Sequence, residues 1–131
     1  MNHRKFGSEG ETLAAAYLEK KGYTITARNV YIGGGEIDLI AETDDAVVFV
    51  EVKTRTLGKS IANYGPPAAA VTAKKKQTLL RTAAHYLHEH PTEKQPRIDV
   101  VEVYVTPRAY TLGPKHAGDH IVHYENAVRK S

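Results

Sequence analysis

The chain has 131 residues, no cysteine and a formal net charge of +3. This length fits a single domain, residues 1–131, with a core of ordinary size, and the lack of cysteine excludes disulfides and thiolate metal sites. No apolar run approaches the ~20 residues of a membrane span, and no N-terminal apolar stretch indicates a signal peptide, so we expect a cytoplasmic protein without a membrane partner.

The first half of the chain predicts one helix followed by three strands. Apolar residues recur at helical spacing over residues 8–21, and a glycine follows. Three segments with strand patterns come next, at residues 23–32, 36–41 and 46–54. The glycines at 33–35 predict a turn, because no helix and no phosphate-binding lysine follow them.

The second half predicts one long helix and two strands. Glycines and prolines indicate a loop over residues 57–67, and a helix is expected over 68–90, ended by Pro91. Strands follow at residues 97–105 and 120–124. The order α-β-β-β-α-β-β predicts one α/β domain with a mixed central sheet and flanking helices.

Charge is distributed in two blocks. Six acidic residues lie between Glu36 and Glu51 with no basic residue among them, whereas no acidic residue lies between Val52 and His88. The basic block could be a solvated helix face plus a loop, or a nucleic-acid-binding surface beside an acidic pocket. Its seven residues are Lys53, Arg55, Lys59, Lys74, Lys75, Lys76 and Arg81.

The second and third strands predict a hairpin whose register follows from the side-chain pattern. Folding the chain about Asp44 and Asp45 places Asp38 opposite Glu51, and a slip of one residue would set carboxylates against apolar side chains. The other expected pairs are Ala41–Val48, Leu39–Val50 and Ile37–Val52 on one face, and Ile40–Phe49 and Glu36–Lys53 on the other.

Directly opposed carboxylates at Asp38 and Glu51 would have Cβ atoms about 4.5–5.5 Å apart and would repel. A shared proton, the ammonium group of Lys53 or a hard divalent cation would each relieve that repulsion. Lys53 would also be placed to hold an attacking water or a developing oxyanion. Such a set suits metal-assisted hydrolysis of a phosphodiester, although charged residues also occur at ordinary strand ends.

Asp38 followed by Glu51-Val52-Lys53 resembles the PD-(D/E)XK nuclease superfamily, which includes restriction enzymes and Holliday-junction resolvases. More closely, the chain resembles the YraN-like family of small bacterial proteins from about Gly7 to Val105. The shared segments are "GSEGE", "YLEKKGY", "ARN", "GEIDLIA", "VFVEVKTR", a second helix with lysines and "RIDVVEV". The resemblance implies a restriction endonuclease-like fold.

The resemblance also implies site roles. Asp38 and Glu51 would be ligands of Mg²⁺ or Mn²⁺, Lys53 would be the catalytic lysine, and Glu11 matches a metal-binding glutamate of the first helix. Two features depart from superfamily patterns: Ile37 stands where the name-giving proline would be, and Arg81 stands where some branches have tyrosine. Glu11 has a second interpretation, because Ser8-x-x-Glu11 fits a capping box at a helix start.

These patterns lead to two hypotheses of function. The first is a metal-dependent endonuclease acting on DNA, with branched or damaged DNA as candidate substrates, working as a homodimer to engage both strands. The second is a non-catalytic nucleic-acid-binding module with the same fold. The intact Asp38, Glu51 and Lys53 favour the first. In both, the nucleic-acid contacts are assigned to Arg55, Lys59, Lys74, Lys75, Lys76 and Arg81.

Overall fold

The computed structural model describes residues 3–56, 71–105 and 121–129, which form two helices and five strands. The order α-β-β-β-α-β-β is as predicted. The bounds are α1 His3–Lys20, β1 Thr24–Ile32, β2 Gly35–Glu42, β3 Ala46–Thr56, α2 Ala73–Glu89, β4 Gln95–Val105 and β5 Ile121–Tyr124. Neither of these two helices combines the length and apolar character needed to cross a bilayer.

The five strands form one mixed sheet in the order β1-β2-β3-β4-β5. Strands β1, β2 and β3 are antiparallel neighbours, β3 and β4 run parallel, and β5 returns antiparallel to β4. The connection between the parallel strands contains α2, as a crossover requires. The predicted α/β domain with a mixed sheet is therefore confirmed.

The two helices cover opposite faces of the sheet, each over its own apolar cluster. On the α1 face, Leu13 and Leu18 pack with Val48 and Val50 of β3. On the α2 face, the buried cluster includes Leu79, Ala83, Phe49, Ile98 and Val100. Strand β3 is apolar on both faces because it is central and covered twice.

The predicted hairpin register is confirmed by three of its pairs, Leu39–Val50, Ile40–Phe49 and Ala41–Val48. The predicted Ile37–Val52 pair on one face is wrong. Ile37 packs in the cluster of the α2 face, whereas Val52 packs against the cluster of the α1 face. The regular ladder ends at Leu39–Val50, so the alternation of faces does not continue through Asp38.

Both helix starts differ from the predicted positions. Helix α1 begins at His3, not at Ser8, because the residues before Ser8 include no proline and a glycine inside a helix costs only about 1 kcal/mol. Helix α2 begins at Ala73, where the Thr72 hydroxyl accepts the Lys75 amide at 3.1 Å as an N-cap. The predicted residues 68–70 of this helix lie outside the described residues.

Candidate active site

Four carboxylates from three elements meet beside the end of the β2–β3 ladder, and we call them the acidic site. Glu11 comes from α1, Glu36 and Asp38 from β2, and Glu51 from β3. Gly10 brings α1 close to the sheet, because a Cβ atom at this position would collide with the hydroxyl oxygen of Thr54. The glycine before Glu11 therefore allows that carboxylate to approach the two strands.

Asp38 is held by the backbone of the neighbouring strand. Its Oδ2 accepts a hydrogen bond from the Val52 amide at 2.8 Å. Burial, followed by the charge of Glu51, raises the pKa of Asp38 to about 8, although the Val52 amide opposes that shift. The predicted proximity of Asp38 and Glu51 thus has an electrostatic consequence in the folded chain: without a cation, the raised pKa favours the protonated form of Asp38.

Glu11 faces the acidic site from α1. Its pKa is raised chiefly by partial burial and also by the charges of Glu36 and Glu51, while Asn29 and Arg28 act in the opposite direction. Because α1 begins five residues before Ser8, the capping-box interpretation of Glu11 is wrong. A carboxylate in the helix interior has no helix start to cap.

Glu36 was not predicted as a member of this group. Oxygen atoms of Glu11, Glu36 and Asp38 lie within 4.8 Å of one another. The sequence carried a signal for Glu36, because residues two apart on a strand share a face. The hairpin register predicted Glu36 as the partner of Lys53 instead.

Glu51 is almost completely buried, with 4% of its surface exposed, and two lysines approach one of its oxygens. Lys53 Nζ and Lys75 Nζ each lie 3.5 Å from Glu51 Oε2. Lys53 was expected here, because it is two residues along the same strand. Lys75 comes from the first turn of α2, and the sequence indicated only that it belonged to a basic surface.

The donor set fits a hard divalent cation. Mg²⁺ and Mn²⁺ prefer carboxylate oxygens, and bonds of about 2.0–2.6 Å to a shared hard cation put its ligands up to about 5 Å apart. Glu11, Glu36 and Asp38 already lie within that span. Glu51 is close enough for its charge to raise the pKa of Asp38. These carboxylates would hold the ion, and its charge would relieve their repulsion.

The predicted basic surface separates into parts with different surroundings. Arg55 is mostly buried, and its Nε donates to the buried Glu102 at 2.9 Å. Lys74 and Arg81 are exposed, and Lys76 is partly exposed. Lys59 lies outside the described residues. Lys74, Lys76 and Arg81 therefore remain predicted phosphate contacts at the surface, whereas Arg55 is engaged inside the fold.

A second charged cluster lies on β4 and β5 and is built as an internal support. Asp99 is fully buried and accepts bonds from Arg97 at 2.9 and 3.0 Å, from His123 at 2.7 Å and from the Asn126 amide at 2.8 Å. Burial alone would raise the pKa of Asp99, but these hydrogen bonds together lower it. Every acceptor position of Asp99 serves the fold, so this cluster joins β4 to β5 and the residues after it.

Comparison with known proteins gives one consistent result. The model of the uncharacterised protein family UPF0102 matches residues 10–103. A UPF0102 protein of Symbiobacterium thermophilum is 50% identical over 101 residues, covering 76% of this chain and 82% of that protein. One from Caldanaerobacter subterraneus is 44% identical over 113 residues, covering 86% and 89%. One from Alkaliphilus oremlandii is 38% identical over 128 residues, covering 95% and 98%.

Proposed function

The chain belongs to the uncharacterised protein family UPF0102, and we propose that it is a metal-dependent endonuclease that hydrolyses phosphodiester bonds of DNA. On this proposal its fold is a small member of the PD-(D/E)XK superfamily. The observation that carries the proposal is the acidic site itself. Carboxylates from α1 and β2 converge within 4.8 Å, and two lysines approach the adjacent buried Glu51.

Convergence of this kind has an energetic cost that a purely structural role does not explain. Burial, and after it the charges of neighbouring carboxylates, raise the pKa values of Asp38 and Glu11 and so disfavour their charged forms. A bound Mg²⁺ or Mn²⁺ would remove the repulsion among the carboxylates, and this relief would favour binding of the ion. Perturbed carboxylates grouped in this way are typical of functional sites.

In this proposal the residues divide the work of hydrolysis. A divalent cation bound to the acidic site would activate water and polarise the scissile phosphate. Glu11, Glu36, Asp38 and Glu51 would hold that ion. Lys53, whose ammonium group lies 3.5 Å from Glu51 Oε2, would position the attacking water and stabilise charge on the phosphate oxygens.

The substrate is proposed to be DNA, held by the cations on the surface of α2. Lys74, Lys76 and Arg81 would contact phosphates without reading sequence, since phosphate contacts position a protein but carry no sequence information. Because such contacts do not distinguish one sequence from another, branched or damaged DNA is favoured over a specific sequence, and two copies of the chain would engage the two strands.

A cleavage screen tests the proposal. The wild-type protein is incubated with Mg²⁺ or Mn²⁺ and with linear, flap, gapped and four-way DNA, beside Asp38→Asn and Lys53→Ala. We expect cleavage of at least one branched substrate by the wild type and its loss in both variants. Binding of DNA without metal-dependent cleavage would instead support the non-catalytic module. Cleavage that persists in Asp38→Asn would place the chemistry elsewhere or in a contaminant.

A further inference from the structure

Tyr31 is the most exposed large apolar side chain of the described residues, with 75% of its surface accessible. It lies directly across the β1–β2 ladder from Glu36. Side chains of directly opposed residues lie on the same face of a sheet and close together. An uncovered aromatic ring thus stands beside a member of the acidic site.

A cleft of about 570 Å³ extends from this ring towards α2. Its lining includes Tyr31, Glu36, Lys75, Thr78 and the turn at 33–35. Gly33 and Gly34 have positive φ angles of 60° and 78°, and a Cβ atom at Gly33 would collide with His85. The turn therefore needs glycine, and its lack of side chains keeps the cleft open.

The cleft presents a set of groups that matches one nucleotide. An aromatic face suits the π-face of any base. Lys75 suits a phosphate, because its ammonium group offers three donors. The volume falls in the range of about 300–1,000 Å³ found for small-ligand sites. A single exposed tyrosine would be unremarkable, but Tyr31 lines the same cleft as Lys75, and Lys75 Nζ lies 3.5 Å from Glu51 Oε2.

We infer that this cleft receives an unpaired nucleotide of the DNA substrate, with its base stacked on Tyr31 and its phosphate beside Lys75. The inference rests on the proposed function, and it names the substrate class. A base within a duplex is stacked on its neighbours and cannot also stack on a side chain, whereas a flap, gap or branch point supplies a free base. The carboxylates would repel the phosphate, so occupation of the cleft depends on the divalent cation.

Fluorescence of a base analogue tests the inference without relying on turnover. A 2-aminopurine is placed at the first unpaired position of a flap, and the flap and a blunt duplex are titrated in Ca²⁺ to slow cleavage. Tyr31→Ala is compared with Tyr31→Phe, which keeps the ring. Val122→Ala is the matched surface control, because Val122 is also exposed but lies on β5 at the other edge of the sheet.

We expect the wild type, Tyr31→Phe and Val122→Ala to quench the analogue and to bind the flap more tightly than the duplex. Tyr31→Ala should lose the quenching and bind the flap about tenfold more weakly, while its duplex affinity stays within about twofold. Equal flap affinity and equal quenching in wild type and Tyr31→Ala would overturn the inference, as would an equal loss on both substrates.

Parallel cleavage assays in Mg²⁺ and Mn²⁺ separate this inference from the proposed function. Cleavage that is indifferent to Tyr31→Ala on every substrate would overturn the nucleotide cleft and leave the endonuclease in place. Tyr31-dependent quenching without cleavage by any metal would support the cleft and count against hydrolysis. Absence of binding to all DNA substrates at low salt would overturn both.

Discussion

The Asp38 carboxylate occupies a backbone hydrogen-bonding position of its neighbouring strand, accepting the Val52 amide at 2.8 Å. The Thr43 amide donates to the Ala46 carbonyl, so in regular alternation the Val52 amide would donate to the carbonyl of Ile37. The regular ladder instead ends at Leu39 and Val50. One side chain thus both ends the hairpin pairing and fixes a carboxylate at the acidic site.

Asp38→Asn should change the dependence of stability on pH. The pKa of Asp38 is raised to about 8 in the fold from 3.8, so the folded state binds more protons between those values. The contribution of Asp38 to the free energy of unfolding of the metal-free wild type therefore falls as pH rises from about 4 to 8. Asparagine does not ionise, so the stability of Asp38→Asn relative to the wild type should increase over this pH range. We expect an increase of at least ~1 kcal/mol, or about 4 °C in Tm.

Thermal melts of both proteins from pH 5 to pH 9 measure this difference. Mg²⁺ or Mn²⁺ at millimolar concentration should stabilise the wild type at pH 8 and leave Asp38→Asn almost unchanged, since a ligand stabilises the state that binds it. Parallel pH profiles, or equal metal shifts in the two proteins, would contradict the assignment of Asp38 to the metal site.

Glu11→Gln should lower metal affinity without damaging the metal-free fold. Burial and neighbouring carboxylates raise the pKa of Glu11, so a neutral amide removes repulsion and the metal-free Tm should hold or rise. The Mn²⁺ affinity, measured by calorimetric titration, and the cleavage rate should each fall by about tenfold or more, as expected for loss of one charged ligand. Glu9→Gln, on the same helix, is the control, and an identical effect of both changes would remove Glu11 from the metal site.

Lys75→Ala and Lys74→Ala remove the same charge from adjacent positions and should behave differently. Lys75 Nζ lies 3.5 Å from Glu51, whereas Lys74 is exposed. Lys75→Ala should reduce the single-turnover cleavage rate by about tenfold or more, because electrostatic contacts to the reacting phosphate are strong where water is excluded. Lys74→Ala should leave that rate within about twofold at saturating DNA.

DNA affinity, unlike the cleavage rate, should depend on the surface lysines of α2 more than on the lysine at the acidic site. The double change Lys74→Ala and Lys76→Ala should weaken binding and reduce the slope of log K against log salt by up to about 2. Lys53→Ala should abolish cleavage and leave affinity within a few-fold. Normal binding by the double variant, measured by fluorescence anisotropy at several salt concentrations, would show that this part of α2 faces away from the DNA.

Arg55→Ala should destabilise the fold rather than simply weaken DNA binding. Glu102 is 1% exposed and accepts from Arg55 Nε at 2.9 Å, so the truncation leaves a buried charge without that partner. Loss of one member of a buried ion pair costs about 3–5 kcal/mol. Urea denaturation measures the cost. Arg81→Ala is the exposed control, expected within about 0.5 kcal/mol of wild type; equal effects of the two changes would contradict a structural role for Arg55.

The central sheet could be predicted from the sequence because its signals are local. Alternating side chains and a short acidic turn specify the β2–β3 register, and three predicted pairs occur as expected. The first residues of the two helices could not be predicted as well from the sequence. Thr72 caps α2 through its hydroxyl group, and the sequence did not distinguish this residue from other polar residues before the lysines. Helix α1 begins before Ser8, because no residue between His3 and Ser8 prevents helix formation.

By itself the sequence determined which strand ends carry Asp38, Glu51 and Lys53, since these positions follow from strand periodicity and one turn. Tertiary structure alone brought Glu36 together with Glu11, directed Lys75 to Glu51 and buried Arg55 against Glu102. Each of these contacts joins different elements, and their geometry depends on how a helix packs on a sheet or how β4 aligns with β3. Such packing depends on the burial of whole apolar faces against each other, and a local pattern of residues does not show which faces will pack together.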